Sequence, residues 1–548
     1  MKLSHLAIAV LTACFCSPVI SSAQSAVSQV WVADNGNGTY KNPVVNADYS
    51  DPDAIRVGDD YYMISSSFTH MPGLPILHSK DLVNWSLIGH VLKRQSPFDH
   101  FSKVQHGGGV WAPSIRYHNN EFYIYSPDPD FGIYVIKAKN ILGPWSDPIL
   151  VAPGKGLIDP CPLWDDNGKA YLAHAYAGSR AGIKSVLTVR EMTPDGTKTL
   201  DEGVLVFDGH DADPTLEGPK FYKRNGYYYI LAPAGGVSTG WQLALRSKNV
   251  YGPYERKVVM DQGKSPVNGP HQGAWVDTKT GEHWFLHFQD KEAYGRVVHL
   301  QPMKWVNDWP VIGIDKDGDG KGEPVLEYKK PNVGAQKIAK ATPPDSDEFE
   351  ASKIGLQWQW QANPQPFWAF PGGGKLRLFS YPMPDSAKNY WDVPNLLMQK
   401  FPADEFVVTT KLNFKPRLDN ERAGLIVFGA DYAYVSVVKK KDGNYLSFSI
   451  CNNADKGKAE TVQDSKKLEN ADIYFRVAVN NGGVCEFSYS TDGTKFEKIG
   501  EKLTAKPGRW VGAKVGLFCT RTTKTNDSGF ADVDWFRVSS LTAGVGSR

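Results

Sequence analysis

Strong net charge is missing from this sequence. Its 61 Lys and Arg against 59 Asp and Glu leave +2 over 548 residues, so neither a nucleic acid nor an anionic membrane surface is indicated as a partner. Cysteine is scarce, six in all, which excludes a disulfide-built scaffold. Beyond the N-terminal stretch no run approaches the ~20 apolar residues of a membrane helix. Up to Lys330 no segment keeps a long 3.6-residue apolar period. Phosphate-binding glycine loops, zinc-spaced clusters and nucleophile elbows are absent as well. Aromatic side chains, by contrast, are plentiful, with 16 Trp, 25 Tyr and 25 Phe. They favour strands and, where exposed, stack on sugar rings.

Met1-Lys2, the apolar run Leu3 to Ile20 and the small residues Ser21-Ser22-Ala23 read as a signal peptide over residues 1–23, so a periplasmic or secreted protein is expected. Leu11-Thr12-Ala13-Cys14 has the form of a lipoprotein signal, the competing reading. Cleavage near Ala23 would leave Cys161, Cys451, Cys485 and Cys519. One disulfide among the last three, or buried free thiols throughout, both agree with that count.

The chain repeats itself. Units begin at Asp51 (DPDAIRVGDDYYMI), Ala112 (APSIRYHNNEFYIYS), Asp159 (DPCPLWDDNGKAYLAHA), Glu217 (EGPKFYKRNGYYYILAPA) and Gly269 (GPHQGAWVDTKTGEHWFLHF). Each has an apolar strand, a polar turn and an aromatic strand, which is the pattern of a hairpin. Between them SKDLVNW from Ser79 recurs as AKNILGPW from Ala138 and SKNVYGPY from Ser247. Intervals of roughly 45 to 60 residues match a four-stranded blade. An all-β chain is expected, with a five-bladed β-propeller in residues 24–330. A Lys- and Ala-rich linker follows in 331–344, ending Pro343-Pro344, and a jelly-roll-like β-sandwich in 345–541, where short alternating runs are separated by Asp-Gly and Asn-Gly turns.

Blade starts in a propeller surround one axis, so Asp51, Asp159 and Glu217 should converge at one mouth of the channel. An aspartate before proline often does no more than cap a turn. Three acids at matching repeat positions are harder to explain that way, because packed like charges raise one another's pKa and are costly without a task. Glycosidic hydrolysis needs such groups: one carboxyl protonates the leaving oxygen and another activates water or attacks directly.

At these residues the chain resembles glycoside hydrolase family 43. The matching motifs are Asn42-Pro43 with Asp51-Pro52-Asp53, Asp159-Pro160 with Asp165-Asp166-Asn167-Gly168, and Glu217-Gly218-Pro219 with Tyr227-Tyr228-Tyr229. The resemblance implies an inverting mechanism with Asp51 as general base, Glu217 as general acid and Asp159 as the residue that tunes and orients the acid. It further implies Phe68 and Trp111 as walls of the sugar pocket and Arg296 as a hydrogen-bond donor to the terminal sugar. His271 matches a channel histidine that relatives place beside a calcium ion or a water cluster. No cofactor is required on this reading; a structural calcium in the channel is the one ion it suggests. Asp315, Asp317 and Asp319 begin like an EF-hand loop, but the twelfth position is Leu326 and no helices flank it.

The expected activity is exo-hydrolysis of terminal α-L-arabinofuranose from plant hemicellulose, with β-D-xylose as the alternative sugar. The expected partner is an oligosaccharide or polysaccharide substrate. A glycan-binding propeller without catalysis is the rival from another class, and retention of all three acids speaks against it. The aromatic segment Leu356 to Phe370 could close the pocket rim or pack the two domains together.

Overall fold

The computed structural model describes residues 27–469 and 472–542. The expected signal peptide, and Cys14 with it, lies outside the described residues.

Five four-stranded antiparallel sheets follow one another. Their first strands are Asp53–Val57, Ser114–His118, Leu157–Trp164, Lys220–Arg224 and His271–Asp277. Each first strand pairs with the next as a hairpin, through two-residue turns in blades one, two and four (Val57↔Asp60, His118↔Glu121, Arg224↔Tyr227) and five-residue loops in blades three and five (Trp164↔Ala170, Asp277↔His283). The ring is a five-bladed β-propeller. The two ends of the propeller segment meet beside the fifth blade, where Thr39–Lys41 pairs with Glu327–Lys329 and Val45 bridges to Val298.

The recurring inter-blade motif is one turn built three times. Asp81 Oδ1 accepts the backbone N–H groups of Val83 and Asn84 (3.0 and 2.8 Å). Asn140 and Asn249 accept those of Leu142 and Tyr251, each at 2.9 Å. A short side-chain carbonyl that bonds its own backbone two residues on holds such a turn. The turn delivers the aromatic residue inward, and Trp85 is fully buried. Truncating a buried side chain of that size costs about 3–5 kcal/mol.

From Gln359 onward two eight-stranded sheets face each other as a β-sandwich. Phe406–Lys415 alternates buried and half-exposed side chains along most of its length, as a strand with one face on the core should. Tyr432–Lys440 is instead buried on both faces for seven residues, because Tyr390, Trp391 and Val393 cover its outer side in a second apolar cluster. Among the described residues the four cysteines are free thiols, all buried.

The aromatic segment from Leu356 packs the domains together. Trp358, Trp360 and Trp368 are buried in the sandwich core. Trp360 exchanges two backbone hydrogen bonds with Met71 of the propeller (2.7 and 3.0 Å), and Gln359 Nε2 donates to the Pro72 carbonyl at 2.8 Å.

Candidate active site

Left-handed backbone positions the acids. Asp51 and Asp159 sit at φ +55° and +56°, at the starts of blades one and three. Only local hydrogen bonding and tight surroundings hold a residue with a side chain there. In blade four Gly218 takes this conformation at φ +61° and Glu217 stands one residue earlier. In blade five the left-handed residue next to the strand's glycine is Gln272, at φ +39°. Gln272, rather than Gly269, therefore contributes blade five's side chain to the mouth.

Asp51, Asp159, Glu217 and Gln272 share one cavity of about 290 Å3 with Phe68, Trp111 and Arg296. Every sequence-derived site residue except His271 lines it directly. Asp51 is tied on both oxygens: Oδ2 accepts the hydroxyls of Ser50 and Ser66 (2.7 and 2.5 Å), and Oδ1 accepts Arg296 Nη1 at 3.2 Å. Asp159 is buried, and its Oδ2 accepts the Gly218 N–H at 2.7 Å. Glu217 is the most open of the three, its side chain 29% exposed into the cavity.

Burial raises the pKa of Glu217 first, and the charge of Asp159 adds to this against the opposing pull of Arg296. Asp159 is also raised, by burial and less by Asp51, with the Gly218 N–H acting the other way. Glu217 therefore holds a proton at a pH where an ordinary glutamate has lost it. A carboxyl group that faces the cavity and stays protonated is fit to donate a proton.

Phe68 and Trp111 stand edge to face with ring centres 6.5 Å apart, and Trp111 meets Trp510 in the same way at 6.5 Å. Trp510 belongs to the sandwich, so that domain closes one side of the cavity. No repeat or motif pointed to it; the nearest signal is a lone Arg-Trp-Val bracketed by Gly508 and Gly512. Arg296 opens the third strand of blade five. It also donates Nη1 to Ser50 Oγ at 2.9 Å and lies with its guanidinium 4.9 Å from the Phe288 ring centre.

His271 is fully buried behind Glu217, its Nε2 3.5 Å from Oε1. Burial, then the nearby Arg296 charge, pushes its pKa down to about 3, so the pair is not an ion pair. Neither ring nitrogen has a hydrogen-bond partner among the described residues. Calcium takes six to eight oxygen ligands, water among them, so an ion beside this one imidazole and one carboxylate would draw most of its ligands from water, and the two orphaned ring nitrogens suit water equally. Among the described residues the acids close enough to share an ion are Asp315, Asp317 and Asp319 on an exposed turn. Their oxygens already accept the turn's own N–H groups, from Gly318, Gly320, Asp319 and Lys321.

A propeller that gathers three carboxyl groups and an arginine inside an aromatic-walled cavity has the parts of a glycoside hydrolase. The model of glycosyl hydrolases family 43 matches residues 40–310, and that of the beta-xylosidase C-terminal concanavalin A-like domain matches 346–539. A putative beta-xylosidase of Xylanibacter ruminicola is 40% identical over 89% of this chain and 87% of its own. A non-reducing end alpha-L-arabinofuranosidase of Bacteroides ovatus is 32% identical over 72% and 74%. The crystal structure of xylan beta-1,4-xylosidase from Bacillus halodurans superposes with a TM-score of 0.80, at 26% identity, over 91% of this chain and all of that one. The chain belongs to glycosyl hydrolases family 43 and is a glycosidase.

Proposed function

We propose that this enzyme is exported and removes single terminal pentoses from plant hemicellulose, with inversion at the anomeric carbon. The observation that carries the reading is the cavity itself: about 290 Å3, lined by Phe68, Trp111 and Trp510 together with the three acids. That space suits one pentose ring rather than a long chain. Glu217 gives its proton to the leaving oxygen as the bond from that oxygen to C1 breaks. A water attacks C1 from the opposite face and passes its proton to Asp51, leaving a free sugar of inverted configuration. Asp159 holds the Glu217 backbone through Gly218 and adds negative charge that favours the protonated acid. Arg296 orients Asp51 and donates to the sugar's hydroxyl groups. The chemistry requires carboxyl groups and water alone.

β-D-Xylose is the first reading, because the relative with 40% identity and the superposed solved structure both carry xylosidase names. α-L-Arabinofuranose, the sugar expected from the sequence, becomes the second and rests on the arabinofuranosidase at 32% identity. The test is turnover of 4-nitrophenyl β-D-xyloside against the α-L-arabinofuranoside, with the anomer of the first product followed by NMR. Faster release from the xyloside, with an α-xylose product, supports the reading. Preference for the arabinoside would favour the second sugar, and a retained anomer would overturn inversion.

A further inference from the structure

Asp48 lies outside the cavity lining, yet both oxygens of its buried side chain are committed. Oδ1 accepts the backbone N–H of Arg296 at 2.9 Å, and Oδ2 accepts that of Gly512 at 2.9 Å. The first belongs to the propeller strand whose side chain reaches Asp51; the second lies two residues after Trp510 in the sandwich. One carboxylate therefore joins the two domains beside two touching parts of the pocket wall, since the Arg296 guanidinium lies 5.8 Å from the Trp510 ring centre.

The fit around it is close. Gly295 has φ +74°, and a Cβ there would come 2.5 Å from Asp48 Cγ. A Cβ on Gly512 would come 2.7 Å from the Gly295 nitrogen. The backbones of the two loops thus touch directly, and the Ala513 N–H donates to the Ala293 carbonyl at 2.7 Å beside them. Asp48 is itself tethered, since Val45 and Tyr49 on either side bond to the backbone of Val298 and Arg296. Lys400 and Lys514 face each other across paired strands. Asp48's negative charge acts on both buried ammonium groups, an arrangement that like charges opposite one another would otherwise oppose.

We propose that Asp48 is a positioning residue that sets Arg296 and Trp510 at a fixed spacing, so that the sandwich domain is registered onto the sugar pocket by one carboxylate. The proposal rests on the pocket reading above. Asparagine keeps the size of Asp48 but has a single acceptor oxygen, so Asp48→Asn must release one of the two N–H groups. Misplacing a binding group by about 1 Å costs up to ~100-fold.

The experiment compares the unsubstituted enzyme, Asp48→Asn, Trp510→Ala and the double variant on xylobiose and the nitrophenyl glycoside. The expected result is a fall in kcat/KM of about 10- to 100-fold in Asp48→Asn, carried mainly by KM. In the Trp510→Ala background the effect of Asp48→Asn should shrink to less than about threefold, because interacting residues are not additive. A kcat/KM within about threefold of the unsubstituted enzyme, or an undiminished effect in the double variant, would overturn the clamp. Should Asp48→Asn fail to fold, amide hydrogen exchange in the unsubstituted protein decides. Slow exchange at both Arg296 and Gly512 supports the clamp, and rapid exchange at either overturns it. No turnover by the unsubstituted enzyme would count against the function, whereas normal turnover by Asp48→Asn counts against the clamp.

Discussion

Asp159 reaches Glu217 through the backbone: its Oδ2 accepts the N–H of Gly218, the residue directly after Glu217, at 2.7 Å. One aspartate thus acts on its neighbour in two ways. The hydrogen bond fixes where the glutamate leaves the chain, and the charge disfavours its ionisation. The two effects can be measured apart.

Asp159→Asn keeps an acceptor for Gly218 and removes the charge. With burial left as the main cause, the Glu217 pKa stays raised but comes down. The alkaline limb of the kcat/KM profile, which reports the acid in the free enzyme, should move to lower pH. A limb that stays in place would mean that Asp159 acts by orientation alone.

Glu217→Gln should reveal its role through the leaving group. A nitrophenolate departs with little help, whereas a sugar alkoxide needs the proton. The variant should lose about 10²–10⁴-fold on xylobiose and much less on the nitrophenyl glycoside. Equal losses on both substrates would count against general-acid catalysis by Glu217.

The same substitution should stabilise the fold at neutral pH. A carboxyl whose pKa is higher folded than unfolded makes the native state bind more protons, so stability is lost as pH rises from the ordinary glutamate range through the raised value. A glutamine side chain does not ionise and carries no such penalty. The melting temperature of Glu217→Gln should match the unsubstituted enzyme near pH 4 and exceed it by about 2–5 °C at pH 8. A difference that does not vary with pH would contradict the raised pKa.

Trp510→Ala should raise KM for both nitrophenyl glycosides about 10-fold while leaving the pH limbs unmoved, since the ring meets Trp111 and Arg296 rather than an acid. A changed pH profile with unaltered KM would assign Trp510 to the electrostatics of the site instead.

The propeller was legible in the sequence because repetition is a one-dimensional signal. Five hairpins at similar spacing, with Asx turns and an inward aromatic between them, required no knowledge of distant contacts. The acids were legible for the same reason, since symmetry about an axis converts equal repeat positions into neighbours. That symmetry was followed imperfectly: Glu217 stands one residue ahead of the left-handed position, and Gln272 rather than Gly269 supplies the fifth blade. Both departures are set by backbone angles, which residue identity does not report. The aromatic richness of Leu356 to Phe370 was equally ambiguous, because a tryptophan that packs a core and one that walls a pocket look alike until burial is known. Pattern and composition, then, determined the all-β architecture, the five blades and the three carboxyl groups, all of which depend on local periodicity. Only the tertiary structure decided that Trp510 walls the pocket and that Asp48 holds it against Arg296, because those contacts join residues more than 200 positions apart, and no local pattern encodes a meeting at that separation.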